Sequence, residues 1–318
     1  MASIKSVKQR IKSTKNISQI TKAMEVVSAT KMRKAQEFAL HARPYAAASL
    51  EMLRNLLERT PELPPLLRVR PVKTSLLLVV SADKGLAGAF NSNVLKKAEA
   101  WIEAKKSSGA QYALVTVGKK ARDYFTKRGS PIANSFWGFG DYSRLEDTLP
   151  VADAILRGFL DQQWDEVEAV YMNFRTTLLQ KVALKKILPV TGEGIEEMVA
   201  GILPERGRLA DRREISGRAR AHSQIGVDQR YRYEYKFEPS AQEILEKLVP
   251  QLLRMHVHHI ILESNASEHS ARMVAMKNAS ESAGELIGEL ALAYNKSRQA
   301  NITRELTEIT AGKEALEG

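Results

Sequence analysis

Residues 4–38 read Ile4-Lys-Ser-Val-Lys-Gln-Arg-Ile-Lys-Ser-Thr-Lys-Asn-Ile-Ser-Gln-Ile-Thr-Lys-Ala-Met-Glu-Val-Val-Ser-Ala-Thr-Lys-Met-Arg-Lys-Ala-Gln-Glu-Phe38. Apolar or small residues recur at Ile4, Val7, Ile11, Thr14, Ser18, Thr21, Met24, Ser28, Lys31, Ala35 and Phe38. The steps alternate between three and four, the seam of a coiled coil. Ile17, Ile20 and Val27 widen the stripe. No glycine interrupts Ser3 to Glu58, and the one proline is Pro44, where a kink is expected. A continuous helix over that stretch spans roughly 80 Å at ~1.5 Å per residue. Residues Ala266 to Thr310 form a second such stretch, roughly 70 Å long. Neither can bury its stripe in a small domain, so each needs a long partner. The nearest is the other end of the same chain.

The seam is polar for a coiled coil, because Thr, Ser and Lys stand where Leu would be strongest. Such a pair is not selected for maximal stability. On the last helix Ala283, Leu286, Leu290 and Ala293 step by three and four, and Ile302, Leu306 and Ile309 continue the pattern. Gly284 and Gly288 each cost about 1 kcal/mol against Ala. Close approach of the partner helix is the expected return.

Charge separates along the chain. The whole carries +11, residues 1–59 carry +8, and residues 263–318 carry −3. Opposite signs favour pairing of the two ends, though exposed ion pairs add only ~0.2–1 kcal/mol each. The stronger implication is that the N-terminal segment seeks an acidic partner. The Lys/Ser-rich start before Glu25 also fits an organellar transit peptide. Its preference for Lys over Arg, and a periodicity that runs on past Glu25, count against that. With no cysteine, disulfides, thiolate metal sites and thiol switches are excluded. The longest aliphatic run, Leu76 to Val80, is too short for a membrane span.

The middle of the chain reads as an α/β domain. Pro61, Pro64, Pro65 and Pro71 mark a linker. Thr74 to Ser81 reads as a buried parallel strand. A glycine-containing turn, Asp83 to Asn91, leads to a helix over Ser92 to Lys106. Tyr112 to Val117 is a strand, followed by a helix to Lys127. Leu145 to Leu160 is a helix, and Val167 to Phe174 and Val182 to Val190 are strands. Alternating strands and helices imply a parallel-type sheet. Residues 191–230 lack a period and suit an insertion or long loop. Tyr231 to Phe237 suits an edge strand ended by Pro239. Ser240 with Glu243 forms a capping box that starts the last helix, and Pro250 should bend it.

The fold class is therefore α/β: a long antiparallel coiled coil of the terminal helices plus a central Rossmann-like domain. The boundaries are 1–60 for the first helix, 72–238 for the central domain and 240–318 for the last helix.

Little in the sequence promises catalysis. The turn Asp83-Lys-Gly-Leu-Ala-Gly-Ala-Phe-Asn91 stands where a phosphate can sit. It lacks both the dinucleotide fingerprint and the Gly-Lys-Ser/Thr ending of a P-loop. A tight turn that needs Gly85 and Gly88 for backbone freedom explains it better. His256 and His259 share a helix face, but no acid lies within three positions of the pair. Asp165, Glu166 and Glu168 read as a solvated turn. No residues assemble a nucleophile with its base, so no catalytic, cofactor or metal residue is assigned. Lys31-Met-Arg-Lys34 suits nucleic acid through counterion release. No aromatics interleave with these cations, and an acidic protein surface serves equally well.

Several stretches carry a family signature. Ile20 to Ala35 resembles the N-terminal helix of the gamma subunit of F-type ATP synthases. Ser267-Glu-His-Ser-Ala-Arg-Met-Val-Ala-Met-Lys-Asn-Ala279 and Tyr294 to Ile309 are similar to its C-terminal helix. Ser81 to Gly88 is similar to the turn after that family's first strand, although Ala87 stands where cysteine is frequent.

The resemblance implies a central rotor shaft. Its paired helices would stand within a hexamer of alpha and beta subunits, and its middle domain on the c-ring beside the epsilon subunit. Catalysis would belong to the beta subunits. Met24, Lys31, Arg33 and Lys34 would face acidic loops of the beta subunits. Arg298, Gln299, Thr303 and Glu305 would make polar contacts with the same ring. The place implied is the cytoplasmic face of a bacterial inner membrane, as a peripheral subunit without a cofactor, a nucleic acid or a transmembrane segment of its own. The photosynthetic members' cysteine-pair redox switch is impossible here. Two other readings remain at this level: a nucleotide-dependent enzyme with helical arms, and a basic coiled-coil nucleic-acid binder.

Overall fold

The computed structural model describes residues 4–41, 52–53, 56–57, 60, 63–139, 143–190, 238 and 240–317. The expected kink at Pro44, the 191–230 segment and the strand expected over Tyr231 to Phe237 lie outside them. The elements are α1 (Ile4–His41), a short 3-10 turn (Pro65–Leu67), β1 (Thr74–Val80), α2 (Phe90–Ser107), β2 (Gln111–Val117), α3 (Lys119–Lys127), β3 (Ile132–Phe136), α4 (Leu145–Leu160), β4 (Glu166–Phe174), β5 (Gln180–Leu188) and α5 (Ala241–Glu317). The chain divides into two compact units. One is Met1–Ala29 with Arg272–Gly318, the other Thr30–Ala271.

The first unit pairs the start of α1 with the later part of α5. The seam positions Ile4, Val7, Ile11, Thr14, Ser18, Thr21, Met24 and Ser28 of α1 are all shielded, with Glu25 and Ala29 beside them. On α5 a shielded row runs through Met276, Ser280, Ala283, Ile287, Leu290, Tyr294 and Ser297, again in alternating steps of four and three, with Ala279 and Ala291 shielded beside it. Ser280 Oγ donates to Ser18 O at 3.4 Å across the pair. Thr21 Oγ1 donates back to Ile17 O at 3.0 Å, so a buried hydroxyl on the seam is satisfied within its own helix.

Several expectations fail in this unit. Ile17, Ile20 and Val27 do not widen the buried stripe; all are exposed. Leu286 and Ala293 also face outward, because the seam runs through Ile287 and Tyr294 instead. A Cβ built on Gly284 or Gly288 meets nothing within 4 Å, so neither glycine serves close approach to α1. From Arg298 to Lys313 every residue of α5 is exposed.

The second unit holds a five-stranded sheet in the order β3-β2-β1-β4-β5. β1 pairs in parallel with β2 and β4, and β2 with β3. β5 departs from the expected parallel pattern and runs antiparallel to β4. Only Arg175 to Leu179 join these strands, too few residues for a crossover. Alternation along β1 feeds both faces of the sheet. Leu77 and Val79 join Phe90, Val94, Ala98 and Phe125 of α2 and α3. Leu76, Leu78 and Val80 join Val151, Ile155 and Phe159 of α4, with Leu245, Val249, Leu253, Val257 and Ile260 of α5. Both faces are covered, which is why β1 is a continuous apolar run.

Helix α5 begins where the capping pattern places it, with Glu243 N donating to Ser240 Oγ at 3.2 Å. It passes through Pro250 as one helix. Two serines bind its first part to the sheet: Ser267 Oγ donates to Met172 O at 3.0 Å, and Ser270 Oγ to Thr177 O at 2.7 Å.

Candidate functional site

The strand-end turn Asp83 to Asn91 is occupied by structure. Asp83 Oδ1 accepts from Lys119 N and Oδ2 from Gly138 N, each at 2.9 Å, so one carboxylate ties three loops together. Asn91 Oδ1 accepts from Ala82 N at 3.0 Å. Ser81 Oγ accepts from Ala121 N at 2.8 Å in the first turn of α3. A carboxylate at the centre of the turn repels a phosphate. Gly88 has φ +54°, as the tight-turn reading requires, but Gly85 is not left-handed; Leu86, at φ +62°, is. At Gly118, φ +91°, a Cβ would stand 2.2 Å from Ser81 O.

The histidines are core residues of α5. His258 Nδ1 lies 2.9 Å from Thr148 Oγ1, and His259 Nε2 lies 3.4 Å from Glu263 Oε1. Burial, with Lys185 and His259 nearby, pushes His256 down to about 3. Burial and His259 push His258 down to about 4, against the pull of Asp147. Burial, reinforced by Glu263, raises Tyr171 far above the ordinary phenol. His256, His258 and Tyr171 are thus neutral, packed side chains. Among the described residues no three His, Cys, Asp or Glu gather to hold a metal.

Asp165, just before β4, and Glu166 and Glu168 within it are not a solvated turn. Burial opposes ionisation of Asp165, but the amides of Lys73 and Thr74 and the Arg70 guanidinium outweigh it and hold the carboxyl below its usual range. Glu166 pairs with Lys105 at 2.7 Å and with Lys186 at 3.3 Å. Glu168 accepts from Trp101 Nε1 at 2.5 Å. This is a brace across the ends of β1, β4 and β5.

What remains outward is a set of helix faces. Arg298, Gln299, Thr303 and Glu305 all lie on the exposed tail of α5, with Thr303 Oγ1 donating to Gln299 O at 3.0 Å. Ile302, Leu306 and Ile309 share that tail, spaced by four and three, and all are exposed. Arg33 and Lys34 are exposed on α1, whereas Lys31 and Met24 are half-buried. Met24 and the four α5 residues belong to the first compact unit, and Lys31, Arg33 and Lys34 to the second. Sequence reasoning assigned the apolar part of this surface to the buried seam: Ile17, Ile20 and Val27 on α1, and Ile302, Leu306 and Ile309 on the tail of α5 are all exposed. The signal was present in α1, whose stripe is wider than one partner helix covers.

The family model described as ATP synthase matches residues 3–316. The chain is 38% identical over 321 residues to an ATP synthase gamma chain of Roseiflexus castenholzii, covering 99% of each. The gamma chain of Geotalea daltonii is also 38% identical, over the full length of both. The chain belongs to the ATP synthase gamma-chain family. A gamma chain is a rotor subunit of the central stalk and not a catalytic subunit. That membership leaves the nucleotide-dependent enzyme and the nucleic-acid binder without support. Solved structures share the fold. A chain of the Euglena gracilis mitochondrial ATP synthase aligns with TM-score 0.61 at 18% identity, covering 98% of this chain and 94% of that one. A Tetrahymena thermophila central-stalk structure aligns at TM-score 0.55 and 22% identity, covering 82% and 99%. No helix among the described residues of this gamma chain is long and apolar enough to cross a membrane.

Proposed function

We propose that this gamma chain carries torque between a membrane c-ring and a hexamer of alpha and beta subunits, beside an epsilon subunit. Its place would be the cytoplasmic face of a bacterial plasma membrane. The observation that carries the docking geometry is the tail of α5. A lone helix in water is marginal even when its sequence favours it. Here Arg298 to Lys313 are exposed throughout, yet the tail bears the apolar stripe Ile302, Leu306 and Ile309. Such a stripe is explained by a sleeve that surrounds it. The polar seam of the pair fits the same arrangement, because the sleeve supplies burial that the pair lacks.

Arg298, Gln299, Thr303 and Glu305 are proposed to meet polar groups of that sleeve. Met24, Lys31, Arg33 and Lys34 are proposed to meet acidic loops of the beta subunits. Contacts of this kind act only through their difference between conformations of a catalytic site. Driving such a site from 1:99 to 99:1 takes about 5.5 kcal/mol of differential contact energy.

The test is charge reversal at Lys31, Arg33 and Lys34 together in the assembled enzyme. ATP hydrolysis should persist while ATP-driven proton pumping falls. Pumping equal to that of the wild type would remove these residues from the docking surface. Polar replacement of Ile302, Leu306 and Ile309 tests the sleeve in the same assay.

A further inference from the structure

The outer side of α2 and α3 carries charge that the fold itself does not use. Both helices lie on one face of the sheet, where Phe90, Val94 and Ala98 of α2 share a core with Ala121 and Phe125 of α3. They also touch each other: Glu99 accepts from Tyr124 Oη at 2.6 Å and pairs with Arg128 at 3.0 Å. Their exposed sides therefore look away from the sheet together, within one compact unit. Residues 90–128 hold nine cations and three acids, a net of +6. Lys105 pairs with Glu166 at 2.7 Å, Arg122 with Asp123 at 2.7 Å and Arg128 with Glu99, while Lys106 lies 5.7 Å from the centre of the Tyr112 ring. The others, Lys96, Lys97, Lys119, Lys120 and Lys127, are exposed, and their ammonium groups have no ion-pair partner among the described residues.

Composition selects what this face can meet. No Leu, Ile, Val, Met, Phe, Trp or Tyr between residues 87 and 136 is exposed. A stable protein interface is built on an apolar or aromatic centre, with Arg enriched and Lys depleted. Here the free cations are all lysines, and the arginines are already paired. The outward side of α1 differs, because its cations stand beside exposed Ile17, Ile20 and Val27. A single-stranded nucleic acid stacks its bases on aromatic faces, and this surface presents none. An anionic bilayer needs neither an apolar centre nor a fixed pattern of acids. Its headgroups move laterally to meet lysines wherever they stand, and each lysine near the surface strengthens adsorption about fivefold.

We propose that this lysine face adsorbs the free chain to an anionic lipid bilayer before the chain enters its complex. The inference rests on the rotor reading only for the membrane at which assembly takes place. The adsorption itself uses none of the hexamer contacts. It is carried by charge alone, so it is reversible and weakens as salt screens the lysines.

The test is co-sedimentation of the full chain with vesicles of phosphatidylcholine and phosphatidylglycerol, set against vesicles of phosphatidylcholine alone. Two variants remove the same amount of positive charge from exposed side chains. One combines Lys96→Gln, Lys97→Gln, Lys119→Gln, Lys120→Gln and Lys127→Gln. The other, on α1, combines Lys5→Gln, Lys8→Gln, Arg10→Gln, Lys12→Gln and Lys15→Gln. The unaltered chain should bind the anionic vesicles, leave the neutral ones and come off as salt is raised. The first variant should lose about a hundredfold or more in partitioning, and the second about tenfold or less. Equal losses overturn the proposal, because the attraction then belongs to net charge and not to this face. Binding to neutral vesicles as strong as to anionic ones, binding that salt does not weaken, or no binding at all overturns it too. A duplex DNA held more tightly than the anionic vesicles, and released by the first variant, overturns it in favour of a nucleic-acid phosphate backbone. If the first variant keeps its vesicle binding but fails to enter the assembled ATP synthase, the face meets a protein and the proposal is wrong. The rotor reading is decided separately, by pumping in the assembled enzyme, and no vesicle result touches it.

Discussion

At the scale of single residues, glycine separates positions that need it from positions that do not. Gly158 of α4 lies against Trp164, whose ring carbon would stand 2.0 Å from an added Cβ. Trp164 cannot swing away freely, because its Nε1 donates to Ile155 O at 3.1 Å. Gly158→Ala should destabilise the chain by about 1–3 kcal/mol through overpacking, despite the better helix propensity of Ala. Gly284→Ala and Gly288→Ala face open space and should each add about 0.5–1 kcal/mol. Chemical unfolding of the three variants checks the opposite signs. The histidines make a second residue-scale prediction. His256 and His258 are held neutral in the folded chain, at about 3 and about 4. In the unfolded chain they regain the ordinary value near 6.5. The unfolded state therefore binds more protons between those limits. The stabilisation is complete above pH ~6.5 and is lost as pH falls toward 4 and below, at up to ~1.4 kcal/mol per pH unit for each histidine. His256→Leu should shallow that slope between pH 6.5 and 4, read from unfolding midpoints across the range.

At the scale of elements, the sequence was legible where one physical demand acted on a segment. β1 must be apolar on both faces, and Leu76 to Val80 says so directly. The inner face of α1 repeats by three and four because it meets a single long partner. Legibility failed where two demands overlapped or where the demand was weak. Ile17, Ile20 and Val27 look like more seam, although they form a separate outward stripe. β3 was missed because Ile132-Ala-Asn-Ser-Phe136 is an edge strand, apolar at its two ends only. β5 was found, but its antiparallel direction followed from the short connection and not from its own residues. The proposed docking residues rest on resemblance alone, since polar side chains on an exposed helix carry no period that marks them. The tail of α5 now makes an element-scale prediction. In the isolated chain, amides of residues 298–313 should exchange with deuterium far faster than those of 276–297, whose seam is covered. Assembly into the hexamer should slow the tail most. Equal protection of the two stretches in the isolated chain would mean the tail is stabilised without a sleeve.

At the scale of the whole molecule, a rotor of two helices can work in either of two ways. The helices turn as one body, or they slide against each other to store strain. The seam favours the first. Its positions interlock along α1 and α5, yet its Thr and Ser residues contribute less than Leu would, so stiffness depends on continuous contact along the pair. Ser18 and Ser280 meet across it at 3.4 Å. Because the chain lacks cysteine, Ser18→Cys with Ser280→Cys creates the two thiols that a short bis-thiol reagent can join. Joining them forbids sliding and leaves rigid rotation untouched. The cross-linked enzyme should therefore retain ATP-driven proton pumping close to that of the same variant before cross-linking. If pumping collapses on cross-linking while ATP hydrolysis continues, the helices must move past each other in each turn. The polar seam would then be a sliding surface, and its weakness the property that rotation uses.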